Sequence, residues 1–462
     1  MPFKKHILFL VPDGVGIKNY LYSNIISHLK KDTKITIWSP LPKDAFDHVR
    51  KLHNIDFHFE NINLQPENLK TRLYREAASY ARLKYNATLQ NNATILTNWR
   101  RPTYSFKVKL LYRLAEVLGH SIFKNYKNIL RTEEKSRESI SKNLIGKYVS
   151  DLENLQLTSI FITHQRVAGL MPICIAAKQL GIKSTTAIFS WDNLPKARLC
   201  VKTDNYLVWS KWMKEEMETY YPEILKDQIK LAGTPQFEFY LDKKRVSSRE
   251  EFATKYNLDI NKIWICFSGD DYITSPHDEL FFKDVAEALY PLKDSVQIIF
   301  RRCPVDFSSR YNTTLDTYKD FVKPIDPKWN AESKTGWVGY FPMYDDINLQ
   351  VNLVAHCALV INLGSTMAHD FTTHGKPCLY LNYNPSRDSS WSTDIIYKFQ
   401  HFRSMQGLDA VGWINKKEDI YTLVSKTIEE PDTIGKDKLN WMKKVVMHPL
   451  DQSSINIAKA IQ

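Results

Sequence analysis

The sequence is 462 residues long, with 43% hydrophobic and 25% charged residues. At roughly 150 to 200 residues per domain it holds two or three domains, which excludes one small module and, on composition, a disordered chain. Sixty-three Lys and Arg against 51 Asp and Glu give a formal charge of +12, which favours nucleic acid, phospholipid or a phosphorylated substrate without choosing among them.

The opening stretch, Met1-Pro-Phe-Lys-Lys-His-Ile-Leu-Phe-Leu-Val-Pro-Asp13, loses its apolar run at Val11 and has no small-residue cleavage site, so it reads as a first strand and not as a leader. Short apolar runs then alternate with helical patterns, the signature of parallel strand–helix–strand units. The first series places strands at Lys5 to Val11, Lys34 to Trp38, Ile55 to Phe59, Ser159 to Thr163, Lys183 to Phe189 and Asn205 to Trp209. Helices such as Lys18 to Lys30 and Val167 to Leu180 lie between them, and a mainly helical, basic segment from Asn68 to Gln156 interrupts the series. The charged run Asp242-Lys-Lys-Arg-Val-Ser-Ser-Arg-Glu-Glu reads as a hinge. A second series has strands at Lys262 to Phe267, Val296 to Arg301, Gly336 to Tyr340, Ala358 to Leu363 and Pro377 to Asn382, and helices at Asp278 to Leu292, Asp346 to Cys357 and Thr366 to His374. After about Gln400 the pattern is mixed, with helices near Lys416 to Ile428, Lys436 to Val446 and Asp451 to Ala460.

No run approaches the roughly 18 apolar residues of a membrane span, so any membrane contact is expected to be peripheral. The six cysteines (Cys174, Cys200, Cys266, Cys303, Cys357 and Cys378) are widely spaced and form no C-x-x-C pair, which suggests a reducing cytoplasm and no structural zinc. The sequons at Asn86, Asn92 and Asn312 then carry no weight.

Open α/β sheets bind ligands at the carboxyl ends of their strands, where a helix start presents free N–H groups. In Asn362-Leu-Gly-Ser-Thr-Met-Ala-His-Asp370, Gly364 permits close backbone approach, Ser365 and Thr366 can cap the helix and donate to a phosphate, and Asp370 lies a turn further on, suited to a sugar or ribose hydroxyl. The same residues also read as an ordinary N-cap with a surface acid. Val11-Pro-Asp-Gly-Val-Gly-Ile-Lys-Asn19 is not a dinucleotide fingerprint, because position 19 is Asn where a third glycine is needed. Gly14 and Gly16 suggest a thin loop that lets a substrate sit close, with Asp13 at its lip and Lys18 near the helix start; a plain β-turn is the other reading.

Other strand ends carry polar groups. His164, Gln165 and Arg166 follow one strand, and the histidine is a candidate base or diphosphate donor, or simply a hydrogen-bonded structural residue. Arg301 and Arg302 end another, where guanidinium groups suit phosphate, although one of the two could pair with an acid. Phe267-Ser-Gly-Asp-Asp-Tyr272 offers Ser268 in a tight turn and two acids, Asp270 and Asp271, with no third metal ligand legible. In Phe189-Ser-Trp-Asp-Asn-Leu-Pro195, Trp191 is a candidate sugar-stacking face and Asp192 a hydroxyl acceptor, or else the pair is a buried Trp with an Asx-turn. In the basic segment, Arg100, Arg101, Lys107, Lys109 and Arg113 interleave with Tyr104, Phe106, Leu110, Leu111 and Leu114, a face suited to an anionic membrane or to packing with a charged outer side.

Together these stretches resemble the two-domain glycosyltransferases of the GT-B fold, particularly the bacterial enzymes that build surface polysaccharides and glycolipids. The resemblance spans most of the chain in architecture. Its sharpest parts are Ser190-Trp-Asp-Asn193, Gly233-Thr-Pro-Gln-Phe237, Gly364-Ser-Thr to Pro377, and Arg301-Arg-Cys-Pro-Val-Asp306, where Cys303 replaces the His of that group's R-x-H-P-x-D element. It implies an α/β fold of two Rossmann-like domains facing across a cleft: an acceptor domain at 1–240 with a helical insertion at about 68–156, a nucleotide-sugar domain at 241–435, and helices at 436–462 crossing back. It also implies transfer of a sugar from a nucleotide-diphosphate donor to a hydroxyl of a glycan or lipid-linked acceptor. Arg301, Arg302, Ser268, Gly364, Ser365, Thr366 and Asp370 would bind the donor, Gly14, Gly16, Lys18, Trp191 and Asp192 the acceptor, and Asp13 or else His164 would be the base. No metal or other cofactor is expected, nor nucleic acid; the place of action is the cytoplasm, at the inner face of the membrane. Many retaining members carry two acids eight positions apart around this turn; here the pair is Asn362 and Asp370, which favours inversion. A CDP-alcohol polyol-phosphate transferase shares these elements but should keep the missing His. A nucleotide-sugar epimerase should show more acids, and a non-catalytic binder of the same fold is the remaining reading.

Overall fold

The computed structural model describes residues 5–102, 104–330, 340–387 and 391–462. The chain forms two compact units. One comprises the chain up to Thr234 with Lys398–Arg403 and Val445–Gln462, and the other comprises Pro235–Tyr397 with Ser404–Lys444.

The first unit is built on seven strands: β1 (Lys5–Leu10), β2 (Thr33–Ser39), β3 (His58–Asn61), β4 (Ser159–Ile162), β5 (Lys183–Ala187), β6 (Asn205–Val208) and β7 (Ile229–Leu231). All pair in parallel in the order β3-β2-β1-β4-β5-β6-β7. Parallel neighbours need long crossovers, so both faces of the sheet are covered and its strands are apolar runs. Accordingly Leu8, Leu10, Ile160 and Ile162 are fully or almost fully buried and pack with Trp38, Leu152 and Ile173.

Between β3 and β4 four helices are inserted: Leu69–Leu89, Phe106–Ile122, Tyr126–Glu138 and Lys142–Leu155. Arg82 fastens the first of them. Its guanidinium is buried and pairs with Glu133 at 2.7 Å and Glu223 at 3.1 Å while donating to the Tyr220 carbonyl at 3.0 Å.

The second unit holds β8 (Ile263–Ser268), β9 (Val296–Arg301), β10 (Val322–Pro324), β11 (Trp329–Asn330), β12 (Phe341–Pro342), β13 (Leu359–Asn362), β14 (Cys378–Leu381) and β15 (Gly412–Ile414). Six of these form a parallel sheet in the order β10-β9-β8-β13-β14-β15, and β11 pairs antiparallel with β12. Its core is mainly aliphatic, with an aromatic cluster in which Phe282 stacks on Phe300 at 4.4 Å and Tyr311 lies beside both.

One expectation is corrected, and another falls mostly outside the described residues. The helix expected from Lys18 to Lys30 is broken into a turn at Gly14–Gly16, a π-helical stretch at Ile17–Leu21 and a short helix at Ile25–His28. The Tyr22 N–H reaches five residues back to the Ile17 carbonyl at 2.9 Å, a register often found beside functional sites. Of the strand expected at Gly336 to Tyr340, residues 336–339 lie outside the described residues, and Tyr340 precedes β12 without joining a strand.

The last helix, Ser453–Ile461, packs in the first unit, where the Ser159 hydroxyl donates to the Ile461 carbonyl at 2.6 Å. Gly233 makes room for it. Its φ is +80°, and a Cβ there would overlap Ser453 Oγ and lie 3.1 Å from Ser453 Cβ. Gly181 has a similar φ of +68° with nothing within 4 Å of the same position. Gly181→Ala should therefore cost about 1 kcal/mol from backbone strain alone, and Gly233→Ala a further ~2 kcal/mol or more from overpacking. Urea midpoints of the two variants measure this, and equal losses would mean that the terminal helix yields freely.

Candidate functional site

In an open parallel sheet, crossovers on either side of the point where strand order reverses diverge and leave a crevice at the carboxyl ends. The first sheet reverses between β1 and β4. Asp13 follows β1 and His164 follows β4, so the switch point brings them together. Asp13 is the N-cap of Gly14–Gly16; one carboxylate oxygen accepts from the Gly16 N–H at 3.0 Å, and the other accepts from His164 Nδ1 at 2.5 Å.

A histidine so held presents Nε2 as its free acceptor. That atom is buried and has no hydrogen-bond partner. The ring is fixed in plane by stacking on Phe189, with centroids 4.0 Å apart and planes 17° from parallel. Phe189 is anchored in turn, because its N–H donates to Gln165 Oε1 at 2.9 Å and Gln165 Nε2 donates to Asn193 at 3.2 Å.

Gly16 has a different use from the one expected. A Cβ on it would lie 2.6 Å from Thr163 Oγ1 and 3.1 Å from Val11 Cγ1, so the space its missing side chain leaves is filled by the protein and lets the loop close onto β4. Gly14 is buried and Lys18 half-buried, and Lys18 has protein partners of its own. Trp191 offers no open sugar-stacking face: it is 4% exposed and stands edge-on to His401 at 4.6 Å and to Phe402 at 5.9 Å. Asp192 is likewise committed, to an ion pair with Lys196 and a bond from Asn193 Nδ2 at 2.7 Å. Burial works to raise its carboxyl, but Lys196 and the nearby His401 outweigh that and hold it well below the usual range.

Arg166, two residues beyond His164, is a different case. It is half-buried and forms no ion pair or hydrogen bond among the described residues; burial lowers its guanidinium from the usual value, and Asp192 opposes part of that effect. Neither the Phe189 platform nor the isolation of Arg166 has a signal in the sequence, since both depend on which strands are neighbours.

The second sheet reverses between β8 and β13. Ser268 ends β8, and the turn Gly364-Ser365-Thr366 follows β13. Gly364 has φ +69°, Asn362 Oδ1 accepts from the Ser365 N–H at 2.8 Å, and Ser365 Oγ accepts from the Met367 N–H at 3.3 Å. Ser365 is thus a cap for the six-residue helix Met367–Thr372, while the Thr366 side chain makes no capping bond.

Asp370, expected as a ribose contact, has protein partners. It is 5% exposed, receives Gln350 Nε2 at 3.4 Å and is hydrogen-bonded to the buried Tyr240 hydroxyl. Arg301 pairs with an acid: its Nη2 meets both oxygens of the fully buried Asp346 at 3.0 and 3.1 Å, leaving Nη1 buried without a partner. Arg302 braces its own loop, with Asp326 at 2.9 Å and the Ser308 carbonyl at 3.3 Å. Among the described residues no group of three or more His, Cys, Asp or Glu is arranged to hold a metal ion, and no helix is long and apolar enough to cross a membrane.

No protein-family model matches the chain, and no curated protein does. Solved structures do match over its whole length. The UDP-GlcNAc 2-epimerase from Neisseria meningitidis bound to UDP-GlcNAc is 12% identical with a TM-score of 0.51, over 99% of this chain and 98% of that one. A UDP-N-acetylglucosamine 2-epimerase is 12% identical with a TM-score of 0.54, over 100% and 95%. The UDP-GlcNAc 2-epimerase from Methanocaldococcus jannaschii is 10% identical with a TM-score of 0.52, over 99% and 99%. At such identities the likeness establishes the fold, a GT-B-like chain of two parallel-sheet α/β domains, and does not single out surface-polysaccharide glycosyltransferases.

Beside the second switch point lies an acid with a measurable signature. Asp278 Oδ2 accepts from the Tyr311 hydroxyl at 2.8 Å and the Asp270 N–H at 3.1 Å, and burial raises its carboxyl to about 6. The ordinary value is near ~3.9, so the native state holds a proton that the unfolded chain has lost, and stability falls as pH rises through that window. Asp278→Asn keeps an acceptor for both donors and does not ionise. Between about pH 4 and 6 the wild type should lose roughly 2 to 3 kcal/mol relative to this variant and then level off. Denaturant midpoints across that range check it; a gap that stays constant with pH would contradict the assignment.

Proposed function

We propose that the chain is a nucleotide-sugar enzyme that transfers the sugar to a hydroxyl acceptor, with His164 as general base. The observation that carries this reading is the buried, unpartnered Nε2 of a histidine whose other nitrogen is held by Asp13. As the acceptor oxygen bonds to the sugar's anomeric carbon, its proton passes to Nε2, and the bond from that carbon to the nucleoside diphosphate breaks. Asp13 fixes the tautomer and stabilises the imidazolium that forms. Within the second unit, the free Nη1 of Arg301 and the hydroxyls of Ser268 and Ser365 are the groups whose chemistry suits a diphosphate. This reading needs no metal. Asn362 stands where many retaining members carry the first of two acids, which suits displacement with inversion.

A second reading, epimerisation of a nucleotide sugar at C2, is favoured by the whole-chain fold likeness to proteins named as UDP-GlcNAc 2-epimerases. It requires removal of the C2 proton, so His164 would act on carbon and not on an acceptor hydroxyl.

Incubation with UDP-sugars in deuterated water, with and without hydroxyl acceptors, separates the two. UDP release that depends on an acceptor supports transfer; deuterium at C2 with an epimeric product supports the second reading. His164→Ala should lower kcat about 10²- to 10⁴-fold with nucleotide affinity unchanged, and Asp13→Asn should also lower it by mis-setting the tautomer. Full turnover in His164→Ala would remove His164 from the chemistry.

A further inference from the structure

The inserted helix Phe106–Ile122 is apolar on two sides. On one, Val108, Leu111, Tyr112, Ala115 and Gly119 are buried, facing the helix Leu69–Leu89. Gly119 lets the two backbones close, because a Cβ there would lie 2.6 Å from the Ala77 carbonyl oxygen. That face satisfies what the fold asks of the helix.

Nearly opposite, at about 100° per residue, Phe106, Leu110, Leu114 and Val117 fall within one arc of about 80°. They are 79%, 47%, 51% and 70% exposed. Isolated exposed apolar residues are ordinary, whereas a continuous row of four on one helix marks a contact surface. Exposed Lys109 and Arg113 border the row on one side and exposed Lys107 on the other. The helix has a single acid, Glu116, already occupied by Arg101 and by Trp99 Nε1 at 2.6 Å.

We propose that this face docks on a membrane carrying anionic phospholipid. The four apolar side chains enter the boundary between headgroups and acyl chains, and the three cations sit at the level of the lipid phosphates. Charge decides against a second copy of the chain as the occupant: a two-fold contact would set Lys109 and Arg113 against like cations, with no unpaired acid on the helix to answer them. The proposal goes beyond the sugar chemistry and does not depend on it.

The test is co-sedimentation of the full-length protein with vesicles of phosphatidylcholine alone and of phosphatidylcholine with phosphatidylglycerol. The protein should pellet with the mixed vesicles, less so as salt rises. Leu110→Glu combined with Leu114→Glu should weaken this at least about tenfold, with circular dichroism and thermal midpoint unchanged because both residues lie on the outer face. Lys109→Glu combined with Arg113→Glu should weaken binding to the mixed vesicles about tenfold. Wild type that stays in solution with mixed vesicles, or that pellets no better than the Leu110/Leu114 variant, overturns the proposal. A lipid-free dimer that this variant splits overturns it too, in favour of a second copy.

Discussion

A parallel strand cannot return to its neighbour through a tight turn, and this constraint shapes both units. Each crossover must lie on a face of the sheet, and a sheet that grows outward in both directions from its first strand must reverse its strand order once. The reversal falls between β1 and β4 in one unit and between β8 and β13 in the other. At each, the segments leaving the two central strands diverge, so that backbone and side chains at the carboxyl ends are not covered by a crossover. Asp13 and His164 meet at one such place, and Ser268 and the Gly364 turn stand at the other, although 151 residues separate the first pair in sequence. The contact follows from the topology, because no local motif joins these residues.

What distinguishes His164 from the other polar groups near the strand ends is that the protein leaves one of its atoms unused. Buried polar groups are nearly always paired, since an unpaired one forfeits its hydration without return. Asp192 and Asp370 obey that rule and so have little left for a ligand. His164 Nε2 and Arg301 Nη1 break it. In both cases the other half of the same side chain is tied to a carboxylate, Asp13 or Asp346, that sets its orientation. A group held rigidly at one end and empty at the other is pre-organised for a substrate atom.

The sequence made the alternation of strand and helix legible, and with it the fold, because strands buried on both faces are continuous apolar runs such as Ile7 to Val11 and Trp264 to Phe267. It did not reveal β7, β10 or β15, each of three residues at or next to a sheet edge, since so short a segment has no period to read. The break after Gly16 was hidden for another reason: a π-helical register arises from how Ile17 to Tyr22 pack and carries no composition of its own. At the site, residue types at strand ends were readable but their partners were not. Trp191 and Asp192 look like ligand contacts in isolation, and it is His401 and Lys196 that occupy them. Conversely, no property of Phe189 in the sequence indicates that it supports an imidazole.

The inserted helices follow a different logic from the sheets. Their attachment rests on buried ion networks: Arg82 with Glu133 and Glu223, and Glu76 with Arg75 at 3.0 Å and Arg198 at 2.7 Å. Such pairs add little net stability over apolar packing, but each one left half-made is costly, so they fix a single register for the helices they join. Glu76 and Arg82 both lie on the helix Leu69–Leu89, and Tyr112 of the next helix donates to Glu76 Oε1 at 2.9 Å. The rotation of Phe106–Ile122 about its own axis is thereby set from inside the domain. Its outer row of Phe106, Leu110, Leu114 and Val117 is held facing outward by contacts that do not involve that row, and selection for folding alone would leave those positions free to be polar.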